Sequence, residues 1–305
     1  NQCEAKGWLF KAPNYVPYDP DEPEGLIRWR KQYWLFCSAS KRNEVFVERL
    51  QNLGDGGVVP NFTFRNCDFM DLERLPDGIT YIGSFAFTDC HTLALTRLPD
   101  GITTIGAYAF TGCRNLALKS LPEEMTDIGN WLFKDCHALA LTSLPDKIKT
   151  IQYGAFWGCS ALALTSLPDG ITQIESSAFS GCSKLALTSL PDKLTMIDRY
   201  AFSACSALAL TSLPDGLQLI GASAFKDCRS LALTNLPKEI TSIRMEVFSG
   251  CSALALTSLP EKLETIGYKA FFNCSAIQIT IPDRFKLSPY TIGEDAFEGC
   301  PLVSF

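Results

Sequence analysis

Ten cysteines, Cys67, Cys90, Cys113, Cys136, Cys159, Cys182, Cys205, Cys228, Cys251 and Cys274, recur at a strict interval of 23 residues, and Cys300 follows after 26. A fixed period of this length constrains the fold more than any composition does. A unit of 23 residues cannot bury its own apolar side, so each copy must stack on its neighbours and the chain becomes a solenoid. Length alone, 305 residues, suggests about two domains, and the period overrides that estimate. It also changes the meaning of the thirteen cysteines. Cysteines locked to a structural repeat read as small buried hydrophobes forming a ladder, not as a disulfide framework. Only Cys3 and Cys37 fall outside the register.

With each ladder cysteine taken as position 1, a typical unit reads CSALALTSLPDGITQIESSAFSG. Leu or Ile fills positions 4, 6 and 9 in almost every copy, as in Leu162, Leu164 and Leu167. Pro stands at position 10 in nine copies, and Pro282 comes one place early in the last. Position 16 is Ile, as in Ile174, and position 21 is Phe from Phe64 through Phe271, with Phe297 in the matching place before Cys300. Stacked at the strand spacing of about 4.8 Å, like residues lie over like along the whole length. Each buried Phe or Leu then contributes roughly 1.5–3 kcal/mol.

The unit also suggests local structure. Leu-Ala-Leu alternates with period 2 and predicts a short strand with both leucines inward. Leu-Pro-Asp-Gly is turn chemistry, and its Pro ends the strand because it has no N–H to donate. The stretch from Ile at position 16 to the next Cys is too short for a long helix and predicts a single helical or 3-10 turn. The fold class expected is therefore an α/β repeat solenoid, a leucine-rich-repeat arc of short parallel strands and short helical or 3-10 turns, preceded by an N-terminal cap.

The pattern C-x-x-L-x-x-x-x-L-P-x-x-I-x-x-I-G-x-x-A-F-x-x-C resembles the BspA-like leucine-rich repeat, also called the Treponema pallidum type, over roughly residues 59–305. Position 7 departs from it, with Thr in place of the usual Ile. The resemblance implies a bacterial cell-surface or secreted protein, although some eukaryotic microbes carry the family, and implies a role in adhesion to host or matrix proteins.

Residues 1–58 do not fit the repeat and hold three of the five tryptophans, Trp8, Trp29 and Trp34. They read as a capping region that shields the first layer from water, or alternatively as a separate ligand-binding module. A helix is expected near 43–53 from the spacing of Phe46, Leu50 and Leu53. Cys3 and Cys37 are either bridged or free. Residues 59–305 are the solenoid, closed by an irregular last repeat from Ile281.

Several function classes find no support. A net charge of −6 provides no basic footprint for nucleic acid, and no apolar run is long enough for membrane insertion. The two histidines, His91 and His137, each follow a ladder cysteine, two layers apart and too distant to share a metal. A Cys–His nucleophile pair with Cys90 or Cys136 is conceivable, against the reading that the thiols face the core and the imidazoles face water. Position 11 is acidic in nearly every copy, from Asp77 to Glu261. Such a column suits either calcium or, more simply, solvated turns. No catalytic residue, cofactor or metal site is expected.

Two surface columns remain. Thr fills position 7 at Thr96, Thr142, Thr165, Thr188, Thr211, Thr234, Thr257 and Thr280. It reflects β-propensity or forms a flat structural or ice-active ladder. Positions 14, 15, 18, 19 and 22 vary and carry Tyr81, Phe85, Tyr108, Trp131, Tyr153, Trp157, Tyr200 and Tyr268, with Phe272 beside them. Surface aromatics are the usual anchors of interfaces, and these eight are the partner-binding candidates. The competing reading is lateral packing between neighbouring turns. The function expected is non-enzymatic binding of a protein or glycan ligand, such as one of a host or extracellular matrix, through an extended surface; the other alternative is an effector whose catalytic activity would have to lie in residues 1–58.

Overall fold

The computed structural model describes residues 57–67, 72–286 and 291–304. Residues 1–56 of the proposed cap, with the helix near 43–53 and Cys3 and Cys37, lie outside the described residues, and Val58 already pairs with Tyr81 as part of the solenoid. Nine two-residue strands mark the coils: β1 (Val58–Val59), β2 (Tyr81–Ile82), β3 (Thr104–Ile105), β4 (Thr150–Ile151), β5 (Gln173–Ile174), β6 (Met196–Ile197), β7 (Leu219–Ile220), β8 (Ser242–Ile243) and β9 (Thr265–Ile266). All pairing is parallel and in sequence order, giving β1-β2-β3, β4-β5-β6-β7 and β8-β9. The register advances by one repeat at each step, so Ile174 pairs with Ile151 on one side and Ile197 on the other. The only helix among the described residues is α1 (Asp283–Lys286), in the irregular last unit.

The strands do not form where the Leu-Ala-Leu alternation predicts them. They occupy positions 15–16, where one exposed or half-exposed residue precedes a buried Ile. The leucines do point inward, and Leu162 and Leu164 are fully buried. Their stretch makes only scattered bonds across coils, such as Ala117 N–H to Leu95 O at 3.0 Å and Ala232 N–H to Leu210 O at 3.0 Å. Alternation reports which side chains face inward, and both segments satisfy that.

The stretch from position 17 to the next cysteine is a pair of turns rather than a helix, and its backbone bonding explains why. Every second N–H points back three residues, as Ala178 to Glu175 and Cys182 to Phe179 do. The intervening ones cross to the next coil: Ser177 to Arg199, Phe179 to Ala201 and Gly181 to Ser203, each at 2.8 Å. Most polar backbone groups in this segment thus find a partner without a helix or a sheet. The geometry requires left-handed residues at positions 19 and 23. Position 23 supplies Asn, Asp or Gly in nearly every coil, residue types that accept φ near +60°. Position 19 adopts the same conformation with Phe85, Tyr108, Trp131 and Tyr200, at a cost of about 1–2 kcal/mol per residue. Those left-handed kinks stop any helix from propagating.

One dry spine runs through the coils. The position-21 phenylalanines from Phe64 to Phe271 are buried and stack face to face, with centroids 5.2–5.9 Å apart and planes within 26°. Beside them the eleven ladder cysteines are buried, and no disulfide links one to another. Each thiol from Cys90 onward donates to the carbonyl of a phenylalanine one coil back, as Cys182 does to Phe156 at 3.1 Å and Cys205 to Phe179 at 3.1 Å. The same carbonyl accepts the N–H of the cysteine three residues on. Cysteine therefore supplies what Ala or Val lacks, a donor slim enough for the spine. Replacing Cys182 by Ala is expected to destabilise the solenoid by about 1–2 kcal/mol, through the lost bond and a small cavity, read as a lower denaturant midpoint.

Candidate functional site

Position 19 is forced to project sideways by its left-handed backbone, and positions 18 and 22 flank it. These three positions share one outer edge. Phe62, Phe85, Tyr108 and Trp131 form a second aromatic column there, with successive ring centroids 4.9, 4.6 and 6.3 Å apart. Trp131 then meets Tyr153 edge-on at 4.8 Å and Trp157 edge-on at 5.8 Å. Lys134 Nζ lies over Trp157 at 4.5 Å and over Trp131 at 5.2 Å, a pair of cation–π contacts. Near the far end, Lys269 Nζ lies over Tyr268 at 5.1 Å and Phe272 at 4.9 Å.

Of the eight candidates, five come together in this cluster: Phe85, Tyr108, Trp131, Tyr153 and Trp157. Tyr200 and Tyr268 lie further along the same edge, two and five coils beyond Tyr153. Tyr81 sits apart, half-buried on β2. Lateral packing and exposure are both present. Phe85, Tyr108 and Trp131 have a ring on either side and are half-buried, whereas Tyr153, Trp157, Tyr200 and Tyr268 are 41%, 36%, 43% and 39% exposed. Two contributors escaped the aromatic count. Met245 is 45% exposed at position 18 in the same row, and Lys134 spans two rings. The 23-residue register, read for Met and Lys as well as for aromatics, carries the signal for both.

Gly154 occupies position 19 directly after Trp131, and its φ of 58° follows the rule for that position. A Cβ on Gly154 would overlap the Trp131 indole. The missing side chain is what lets the ring lie flat on the next coil. Gly154→Ala is expected to displace Trp131, lowering stability by about 1–3 kcal/mol and changing the near-ultraviolet circular dichroism of the tryptophans.

The histidines and the cysteines before them bond to neighbouring coils. His91 Nδ1 donates to Gly112 O and His137 Nδ1 to Gly158 O, both at 2.9 Å, so each imidazole bridges to the next coil. Cys90 and Cys136 donate instead to Phe64 O and Phe110 O, at 2.9 and 3.1 Å. Neither Cys–His pair is formed. Burial raises both thiols well above their ordinary range, which suppresses the thiolate a nucleophile needs. The position-11 acids are exposed. At neighbouring position 12, Lys147 pairs with Glu124 at 2.6 Å across coils, and Lys262 pairs with Glu239. Among the described residues no group of His, Cys, Asp or Glu converges to hold a metal ion. The eight threonines of position 7 are exposed. No described helix is long and apolar enough to cross a membrane.

The sequence matches the family described as BspA type leucine rich repeat region, in six copies over residues 58–186 and 172–304. No curated protein matches the chain. Among solved structures, it is similar to a leucine rich cell surface protein from Faecalibacterium prausnitzii A2-165, at 25% identity over 81% of this chain and 82% of that one, with a TM-score of 0.49. A leucine rich repeat protein of T. pallidum is 24% identical over 80% and 87% of the two chains, with a TM-score of 0.35. One from Bacteroides ovatus is 22% identical over 77% and 85%, with a TM-score of 0.33.

Proposed function

Because this chain belongs to the BspA-type leucine-rich repeat family, whose solenoids are generally binding scaffolds, we propose that it is a non-enzymatic recognition protein that holds an extended protein or glycan ligand along its outer aromatic edge. The carrying observation is the row of Tyr153, Trp157, Tyr200, Met245 and Tyr268, large apolar side chains left exposed at repeat positions 18, 19 and 22 along one edge of a solenoid whose core is otherwise closed. Aromatic anchors of this kind hold most of the energy at interfaces, and a row of them spreads affinity along several coils. A cell-surface or secreted setting and an adhesive role are part of this reading, supported by the family.

The test is capture by a panel of purified extracellular-matrix proteins and arrayed glycans. Tyr153→Ala combined with Tyr268→Ala is expected to weaken capture at least about tenfold, since each anchor is worth roughly 1–2 kcal/mol or more. The double variant should keep the parental melting temperature. Undiminished capture by the double variant contradicts the reading.

A further inference from the structure

Position 20, the residue before the core phenylalanine, is Ala in eight coils from Ala86 to Ala296. The exceptions in that span are Leu132 and Val247, both fully buried. The parallel sheet breaks on the preceding side of those two coils. Between regular coils the position-17 N–H donates to the position-16 carbonyl one coil back, as Glu175 does to Ile151 at 2.9 Å, Asp198 to Ile174 at 2.9 Å and Gly221 to Ile197 at 2.8 Å. Gly129 and Arg244 make no such bond, and Thr126 and Thr241 lack the one that Thr172 donates to Lys149. Strand pairing stops at the same junctions, after β3 and after β7. Ile128 bridges only to Ile151, on its far side. The core reports the same two places. Phe110–Phe133 and Phe225–Phe248 are the widest steps of the phenylalanine stack, 5.9 and 5.7 Å against 5.2–5.6 Å elsewhere. The wider step goes with the larger side chain. A Cβ on Gly106 or Gly221 would collide with the preceding coil, whereas one on Gly129 would meet nothing nearer than 3.5 Å.

We infer that Leu132 and Val247 are wedges that open two seams in the sheet and divide the solenoid into three hinged blocks, carrying β1–β3, β4–β7 and β8–β9. Position 20 folds back onto position 17, as Ala178 N–H does to Glu175 O and Leu132 N–H to Gly129 O, which sets it beside the end of the strand. A methyl group fits between coils there. A branched chain needs more room, and a close-packed core answers added volume by moving backbone. The coils roll rather than part. Across the two seams the leucine strip is bonded, by Ala117 N–H to Leu95 O and Ala232 N–H to Leu210 O. The three junctions from Ile151 to Ile220, closed at the sheet, have no such bond on that strip. The turn side holds at both seams, with Tyr108 N–H on Asn130 O at 3.0 Å and Ser223 N–H on Met245 O at 2.9 Å. Each seam is thus a hinge at which local opening breaks few bonds. The first passes between Tyr108 and Trp131, whose ring centroids are 6.3 Å apart against 4.9 and 4.6 Å in the preceding steps. The second passes between Tyr200 and Met245. On the recognition reading above, Tyr153, Trp157 and Tyr200 ride on one block and Met245 and Tyr268 on the next, so an extended ligand meets two rows of anchors hinged at Val247. The seams themselves do not depend on that reading.

The test is amide-resolved hydrogen exchange of the full chain under native conditions. In the parent, the N–H groups of Thr126, Gly129, Thr241 and Arg244 are expected to exchange at least about a hundredfold faster than those of Thr172, Glu175, Thr195 and Asp198. Leu132→Ala, which restores the residue of the regular coils, should slow Thr126 and Gly129 at least about tenfold and leave Thr241 and Arg244 as they were. Val247→Ala should do the converse. Ala178→Leu transplants the wedge and should open a third seam, speeding Thr172 and Glu175. Equal protection of the seam and regular amides in the parent overturns the seams. Seam amides that stay fast in both alanine variants overturn the wedges and assign the breaks to other residues of those coils, Asp127 and Arg244 among them. Should Ala178→Leu fail to fold, the alanine variants decide alone. A failed capture test would leave these rates untouched, so the two readings fall separately.

Discussion

Between about pH 8 and pH 9.5 the solenoid is expected to lose stability with a steepness unusual for a protein of its size. Burial holds the thiols of Cys90, Cys113, Cys136, Cys159, Cys182, Cys205, Cys228, Cys251 and Cys274 above their ordinary value. In the unfolded chain the same groups ionise near pH 8.5. A thiol whose folded value is raised contributes its full stability below the unfolded value and loses it as pH rises beyond that point. Each thiol that is ionised only in the unfolded chain contributes about 1.4 kcal/mol per pH unit to the loss. Nine acting together approach a slope on the order of 10 kcal/mol per pH unit. Denaturant midpoints measured at intervals across this range should hold steady up to about pH 8 and then fall sharply. A flat profile to pH 9.5 would mean that the thiols are not buried together.

Phe179→Ala carries the second large effect. Phe179 is fully buried and stacks on Phe156 and Phe202. Truncating a buried Phe costs about 3–5 kcal/mol, through lost transfer energy and the cavity left behind. Tyr200→Ala, on the outer edge two residues before Phe202, should cost less than about 1 kcal/mol, because it removes an exposed ring. Stability in a solenoid is the sum of nearest-neighbour interfaces, so the inner lesion weakens both interfaces of its coil. Chemical denaturation is therefore expected to turn biphasic in Phe179→Ala and to remain unchanged in form in Tyr200→Ala. Equal destabilisation by the two variants would contradict the division into a dry spine and an outer edge.

The period of 23 made the spine legible, because burial of Phe, Cys, Leu and Ile at fixed positions is a direct consequence of stacking like on like. It did not reveal which segment pairs. Leu162-Ala163-Leu164 and Gln173-Ile174 both place alternate side chains inward, and only the second forms a ladder with the coils on either side. The left-handed residues divide in the same way. Asn, Asp and Gly at position 23 advertise a positive φ, whereas Tyr108 and Trp131 at position 19 give no hint of it, since their conformation is imposed by cross-coil bonds on either side. The candidate edge was visible as varying aromatics, but its internal order was not. That order depends on Gly154 making room for the Trp131 ring and on Lys134 reaching two indoles. Cysteine was legible as a small apolar residue, and the sulfur-to-carbonyl bond that selects it required coordinates.

The central claim is that eleven coils place their cysteines in one dry spine, and native-state alkylation tests it most directly. The folded protein is treated with iodoacetamide near neutral pH and mapped by mass spectrometry. The expected result is that Cys67 and the ten ladder cysteines from Cys90 to Cys300 stay unmodified under conditions that alkylate a free thiol within minutes, and that all eleven react once guanidinium is added. Rapid modification of the folded protein at the 23-spaced positions, or disulfides linking them, would contradict the stacking and every surface assigned from it.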